Sequence, residues 1–198
     1  MKAIYILEIT ITIVCILLYH YSYTVLDRVI YKEHVFSETE YTNILQTIQS
    51  LHHQLRDRDE DKNFVNRKSV DVPAHSSLYR LFYGAPFINR LRTLLGMTLE
   101  PSAILPIEYR MYHTGGHMNW HRDVRVTTQV APQIEIVYTI ENTSDSTTVW
   151  REDKTLKEHS IFTAPNSILI TQGESVYHKV TPITKGYRSI IKVAYDVL

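Results

Sequence analysis

From about Ile104 onward the chain changes character, and that change constrains its fold more than any other feature of the sequence. The segments "PIEYRMYH", "QIEIVYTIE", "SIFTA", "SILIT", "VYHKVT" and "GYRSIIKVAYDV" are short, β-branched and aromatic, and turn residues separate them. Ile134, Ile136, Tyr138 and Ile140 alternate with other residues, as a strand with a buried face requires. About six to eight strands of this kind point to a sandwich or barrel of jelly-roll type. The fold class expected is therefore mainly β, of jelly-roll type, with N-terminal support helices.

The support helices are legible upstream. "FSETEYTNILQTIQSLHHQL" starts at Phe36, and Ser37 followed by Glu40 makes a capping box. Tyr41, Ile44, Leu45, Ile48 and Leu51 then recur at helical spacing. "LYRLFYGAPFINRLRTLLG" has the same spacing on both sides of a Gly84–Pro86 break, and Gly96 is a natural stop. Between these helices, the charged run "RDRDEDK" and the residues up to about Ser77 read as a surface loop.

Residues 3–26, "AIYILEITITIVCILLYHYSYTVL", are the most apolar stretch. The length suits a bilayer span of about 20 residues. Tyrosines 19, 21 and 23 would form an interfacial belt at one end. The expectation is a hydrophobic helix within residues 1–28 acting as a single-pass membrane anchor, with a cleaved signal peptide or a buried element as alternatives. Lys2 and the free amine precede the segment, which favours the N-terminus inside and the domain across the membrane, in the endoplasmic reticulum lumen or its equivalent. Composition excludes other classes. Lys+Arg and Asp+Glu balance at 21 each, so no global charge favours nucleic acid. A lone cysteine, Cys15, rules out an intrachain disulfide framework and a thiolate zinc cluster.

The chemistry is concentrated in "YHTGGHMNWHRD", residues 112–123, where His113, His117 and His121 recur every fourth position. A helix would align them, but Gly115 and Gly116 intervene and each glycine costs a helix about 1 kcal/mol. On a strand, residues four apart are separated by about 13 Å, too far to share one ion, whereas His121 and Asp123 lie two apart and can. His178, in the alternating Val176–His178–Val180 stretch, is the best distant partner. Two imidazoles and a carboxylate on one face of an octahedron leave three positions open, the arrangement used by non-haem Fe(II) oxygenases. Zinc would prefer a closed tetrahedral set or one open position. An oxygenase that uses a 2-oxo acid must also hold a distal carboxylate. Arg188, ten residues beyond His178, offers the guanidinium fork for it. Tyr112 and Tyr138 can add hydroxyl donors from neighbouring strands.

Taken together, Tyr112-x-x-Gly-x-x-Met-x-x-His121-x-Asp123 and His178-x-Val-x-Pro-Ile-x-x-Gly-x-Arg188 resemble the 2-oxoglutarate- and Fe(II)-dependent dioxygenases, most of all their prolyl 4-hydroxylase branch. The resemblance covers about residues 34–198, with helical support at 34–100 and a β-core at 101–198, and it implies that the β-core is a double-stranded β-helix, a jelly roll with the iron inside. It implies His121, Asp123 and His178 on iron, Arg188 on the C5 carboxylate of 2-oxoglutarate, and Tyr112 on the cosubstrate side. It further implies O2 as oxidant, ascorbate as reductant, a peptide or protein substrate with proline leading, and release of succinate. Met118 departs from the family pattern, as does "SDSTTVW" at 144–150, and Arg188 stands where collagen-type members often carry lysine. The rival readings are an inactive jelly-roll binding module, a hydroxylase of non-prolyl substrates, and a cupin-like zinc or manganese enzyme.

Overall fold

The computed structural model describes residues 9–12, 29–57, 63–123, 132–152 and 155–198. Helix α1 (Glu38–Leu51) begins at the expected capping box: Ser37 Oγ accepts from the Glu40 amide and the Glu40 side chain accepts from the Ser37 amide. Helices α2 (Ser77–Tyr83) and α3 (Ala85–Leu95) meet at Gly84, and Gly96 in the left-handed region ends α3. Their apolar stripes converge on one core. Phe36 stacks on Phe87 with ring centroids 5.2 Å apart and meets Tyr138 edge-on, also at 5.2 Å. Fully burying one such ring is worth about 1.5–3 kcal/mol, so these aromatics fasten the helices to the sheet beneath.

The remainder is one curled antiparallel sheet of jelly-roll type. Its strands are β1 (Ile30–Glu33), β2 (Arg56–Asp57), β3 (Phe64–Asp71), β4 (Leu99–Pro101), β5 (Glu108–His121), β6 (Gln133–Asn142), β7 (Thr148–Arg151), β8 (Glu158–Ile161), β9 (Ser167–Gln172), β10 (Tyr177–Val180) and β11 (Arg188–Val197). They run in the order β1-β9-β6-β11-β5-β10-β7-β8, with β3 added on β5, β2 on β3 and β4 on β11. Strand β5 makes the curl. Its first half pairs with β11, from Arg188↔Tyr112 to Lys192↔Glu108, and its last residues pair with β10. Gly115 lies at the bend with φ +84°, a conformation that a side chain strains, and a Cβ there would sit 2.7 Å from Asn66 Nδ2. So the glycine pair does not break the strand; it turns the strand from one side of the barrel to the other.

Two sequence expectations are corrected here. Residues 64–71, taken as loop, form β3, which pairs along β5 from Val70↔Tyr109 to Phe64↔Met118. Its mixed charges masked the alternation, because Arg67 and Ser69 face inward and are buried. The membrane anchor is the second. Among the described residues no helix is long and apolar enough to cross a membrane. Of the apolar segment, residues 9–12 form one helical turn, and the rest lies outside the described residues. The anchored, lumenal placement therefore loses its support.

Candidate metal and cosubstrate site

Both faces of the central strands are buried, and they do different work. On β6, Ile134, Ile136, Tyr138 and Ile140 belong to the core shared with the helices, while Glu135 and Val137 line the barrel cavity. On β11 the cavity residues are Arg188, Ile190 and Lys192. Strands β5 and β10 close the opposite wall. There His178 pairs with His121 and Val180 with Met118, so β5 carries one extra residue in that interval. That bulge puts Met118 and His121, three apart, on the one face that pairs with Val180 and His178, and Trp120 on the other, where it stacks on Tyr177 at 5.0 Å.

Asp123 follows β5 by two residues and completes the cluster. Ligand atoms of His121, Asp123 and His178 all lie within 4.8 Å of one another. The two imidazole Nε2 atoms are each 3.6 Å from an Asp123 oxygen, and the rings are 4.3 Å apart, centroid to centroid. His121 Nδ1 donates to the Asn119 carbonyl at 2.7 Å and His178 Nδ1 to the Val176 carbonyl at 3.0 Å. A carbonyl only accepts, so both Nδ1 atoms carry the proton and both Nε2 lone pairs point inward. That is how metal-ligating histidines are oriented from behind. His121 Nε2 is buried and has no hydrogen-bond partner. Gly173 closes the floor beside the cluster: a Cβ there would lie 2.9 Å from Asp123 Cβ and 3.0 Å from Glu135 Oε1.

Two residues that the sequence did not single out press on this cluster. Lys192 Nζ sits 3.1 Å from Asp123 Oδ1 and 2.6 Å from Glu135 Oε2. Burial opposes ionisation of Asp123, but the Lys192 ammonium beside it outweighs burial and holds the carboxyl well below its usual range. Glu135 goes the other way, pushed up to about 7 by burial and by the Asp123 charge despite Lys192. A lysine and a glutamate inside otherwise apolar strands were the available signal.

The opposite end of the cavity holds Arg188. It is 4% exposed, and its Nη1 donates to Thr148 Oγ1 at 3.2 Å. Its Nε is buried without a partner, and no carboxylate among the described residues pairs with it. Burial pulls its pKa down to about 10. A buried, always-cationic fork with an unused donor is arranged for an anion. Tyr112, its cross-strand neighbour, lines the same cavity and directs its hydroxyl to Met118 Sδ at 3.4 Å. The cavity has a volume of about 640 Å³ with its mouth. Tyr138, the other tyrosine expected to donate a hydroxyl there, is not brought to the site. Its ring packs on Phe36 and Phe82, and its hydroxyl donates to Asn166 Oδ1 at 3.2 Å. It shares the face of Ile134 and Ile136, and that face belongs to the helices. His113 is exposed, and His117 turns its Nδ1 to the Gly115 carbonyl.

No protein-family model matches the sequence, and no curated protein matches it. Solved structures do share its architecture. A Pseudomonas putida prolyl-4-hydroxylase aligns with TM-score 0.63 at 12% identity, over 85% of this chain and 91% of that one. A Trichoplax adhaerens prolyl hydroxylase, in complex with a hypoxia inducible factor oxygen degradation domain peptide fragment, aligns with TM-score 0.66 at 12% identity over 85% and 83%. HygX of Streptomyces hygroscopicus, with nickel and 2-oxoglutarate bound, gives 0.61 at 13% identity over 85% and 82%. The fold is thus the one found in 2-oxoglutarate- and Fe(II)-dependent oxygenases, prolyl hydroxylases among them. At these identities the likeness establishes architecture, and the chemistry has to be argued from the site.

Proposed function

We propose that this protein is an Fe(II)- and 2-oxoglutarate-dependent oxygenase that hydroxylates a peptidyl residue, proline first among the candidates. One observation carries the reading: a two-histidine, one-carboxylate cluster and a buried arginine with no carboxylate partner among the described residues stand at opposite ends of a single cavity. His121, Asp123 and His178 would hold the metal. The donor set fits, because both Nε2 atoms are presented inward with their Nδ1 protons already bound to carbonyls. It leaves positions open, as an oxygenase needs and a structural zinc site does not. Bound there, iron supplies the redox chemistry that couples decarboxylation of 2-oxoglutarate to oxidation of a C–H bond.

The chain's own residues do the rest. Arg188 takes the distal carboxylate of 2-oxoglutarate through two parallel charge-assisted hydrogen bonds, with Thr148 holding the guanidinium plane and Tyr112 alongside. Lys192 keeps Asp123 ionised and offsets part of the negative charge gathered by Asp123 and Glu135. The apolar lining from Met118, Val137, Val176, Val180 and Ile190 keeps bulk water from the reacting groups. The test uses the full chain with Fe(II), 2-oxoglutarate, ascorbate and O2. It should release succinate, and proline-rich peptides should gain one oxygen atom by mass spectrometry. Asp123→Ala should fall to background. Wild-type consumption of 2-oxoglutarate by Asp123→Ala would refute the assignment.

A further inference from the structure

A second buried arginine beside Tyr112 also lacks a carboxylate. Strand β5 lies between β11 and β3, and Tyr112 pairs with Arg188 on one side and with Arg67 on the other. Side chains directly opposite each other share a face, so Arg67 stands with Tyr112 on the cavity side of the sheet. Asn66, with φ +49°, sits where the β3–β5 register shifts, and its side chain donates to the Thr114 carbonyl at 3.3 Å. That irregularity lets Phe64 and Arg67, three apart, both face inward, with Phe64 opposite Met118. Arg67 is 7% exposed. Its Nε is buried without a hydrogen-bond partner, and no carboxylate among the described residues forms an ion pair with it. Burial, then the Arg110 charge, pull its pKa down. Its guanidinium carbon lies 3.9 Å from the centroid of the Phe64 ring, and that ring meets His121 edge-on at 5.9 Å. The two distances keep the Arg67 charge within about 10 Å of the His121 imidazole.

We propose that Arg67 is a second anion site, and that it holds a carboxylate carried by the molecule to be oxidised. The inference rests on the oxygenase reading above and adds what that reading leaves open: the substrate is acidic close to its reacting carbon. The other inward cations are occupied. Arg110 is bound by Glu108, Lys192 by Asp123 and Glu135, and Arg188 is assigned to the distal carboxylate of 2-oxoglutarate. Arg67 does not share the task of Arg188: the cation that presses on it is Arg110, and Arg188 feels neither. Stacking over Phe64 uses the face of the guanidinium and leaves its in-plane N–H donors for a partner. A carboxylate fits that edge with two parallel bonds, which an amide or a hydroxyl cannot make. A buried cation without a counter-ion is costly, so an anion gains more there than at the surface. An extended chain covers about 10 Å in about three residues, so in a peptide the acid lies within about three positions of the residue oxidised. An acidic side chain and a free C-terminus both supply that carboxylate.

The test loads the full chain with Mn(II) and 2-oxoglutarate and follows thermal stability in wild type, Arg67→Met and Arg67→Lys as heptapeptide pools are added. Two pools are blocked at both ends and randomised over uncharged residues around a central glutamate or a central glutamine. A third keeps the glutamine and leaves the C-terminal carboxylate free. The wild type should reach the same rise in melting temperature with about tenfold less of an acidic pool than of the neutral one. Which acidic pool does so tells a side chain from a C-terminus. Arg67→Met should respond to all three pools alike. Arg67→Lys should keep part of the preference, because lysine carries the charge without the fork. Both variants should keep the wild-type rise with Mn(II) and 2-oxoglutarate alone. Arg67→Gln repeats the loss should Arg67→Met fail to fold. An equal or stronger wild-type response to the neutral pool overturns the proposal, as does no response to any pool or an acid preference that survives Arg67→Met. Loss of the 2-oxoglutarate response in Arg67→Met overturns it too, by making Arg67 part of the cosubstrate site. Failure of the oxygenase reading looks different: the wild type then shows no rise with Mn(II) and 2-oxoglutarate before any peptide is added.

Discussion

Arg188→Met should make the unliganded protein more stable while removing its response to 2-oxoglutarate. Arg188 is almost wholly buried, has one hydrogen bond to Thr148, and lacks a carboxylate partner among the described residues. Burial lowers its pKa from 12.5 to about 10, and at 1.36 kcal/mol per unit that is a penalty of about 3 kcal/mol. For a base whose folded pKa is depressed, the penalty is in full force below the folded value and fades only as pH rises through it. It is therefore present throughout the neutral range. Methionine removes the charge and keeps much of the volume, at the loss of one hydrogen bond worth about 1 kcal/mol. The net gain is about 2 kcal/mol, or about 4–8 °C in melting temperature for a domain of this size. In wild type, 2-oxoglutarate at a hundred times its Kd, with Mn(II), should add about 2.7 kcal/mol by mass action. In Arg188→Met that increment should vanish. Differential scanning fluorimetry with and without cosubstrate reads both effects. A variant that is less stable when empty, yet still stabilised by 2-oxoglutarate to the wild-type extent, would refute both the unpaired-cation argument and the anchor role.

The two tyrosines expected at the site should separate cleanly. Tyr112→Phe should raise the KM for 2-oxoglutarate by about 3–10-fold, the loss of one hydrogen bond of about 1 kcal/mol, with little change in stability. Tyr138→Phe, losing its bond to Asn166, should lower stability by about 1 kcal/mol and leave the kinetics unchanged. Glu108 should contribute to acid sensitivity. Burial works to raise its pKa, but Arg110 outweighs burial and leaves it lowered. Its stabilisation is thus fully present above the unfolded value of about 4.3 and is lost as pH falls through the lower folded value. Glu108→Gln should flatten the fall in urea-unfolding stability below about pH 4.

How much of this could be read without coordinates follows the range of the forces involved. The Ser37–Glu40 capping box, the Gly84 junction and the Gly96 stop depend on residues within a few positions of one another, and they stand where the pattern put them. The strands from β5 to β11 were legible for the same reason, apart from β7, whose "TVWR" follows the polar run "SDST" without a turn residue such as Gly or Pro to mark its start. Strand β3 was missed because its register depends on β5, whose paired residues lie 37 to 54 positions further along the chain. Tyr138 was placed on the wrong wall because both faces of β6 are buried. Alternation distinguishes the two faces but does not say which one meets helices and which one meets the cavity.

By itself, then, the sequence determined the donor types: two imidazoles and a carboxylate at strand-compatible spacing, and an arginine one turn of chain beyond them. Those are facts of residue identity and local spacing. The tertiary structure alone decided that His121 and Met118 share a face across a bulge, that Lys192 and Glu135 lean on Asp123, and that Arg188 has no carboxylate partner among the described residues. Register between distant strands sets those relations, and a one-residue slip would turn every inward side chain outward.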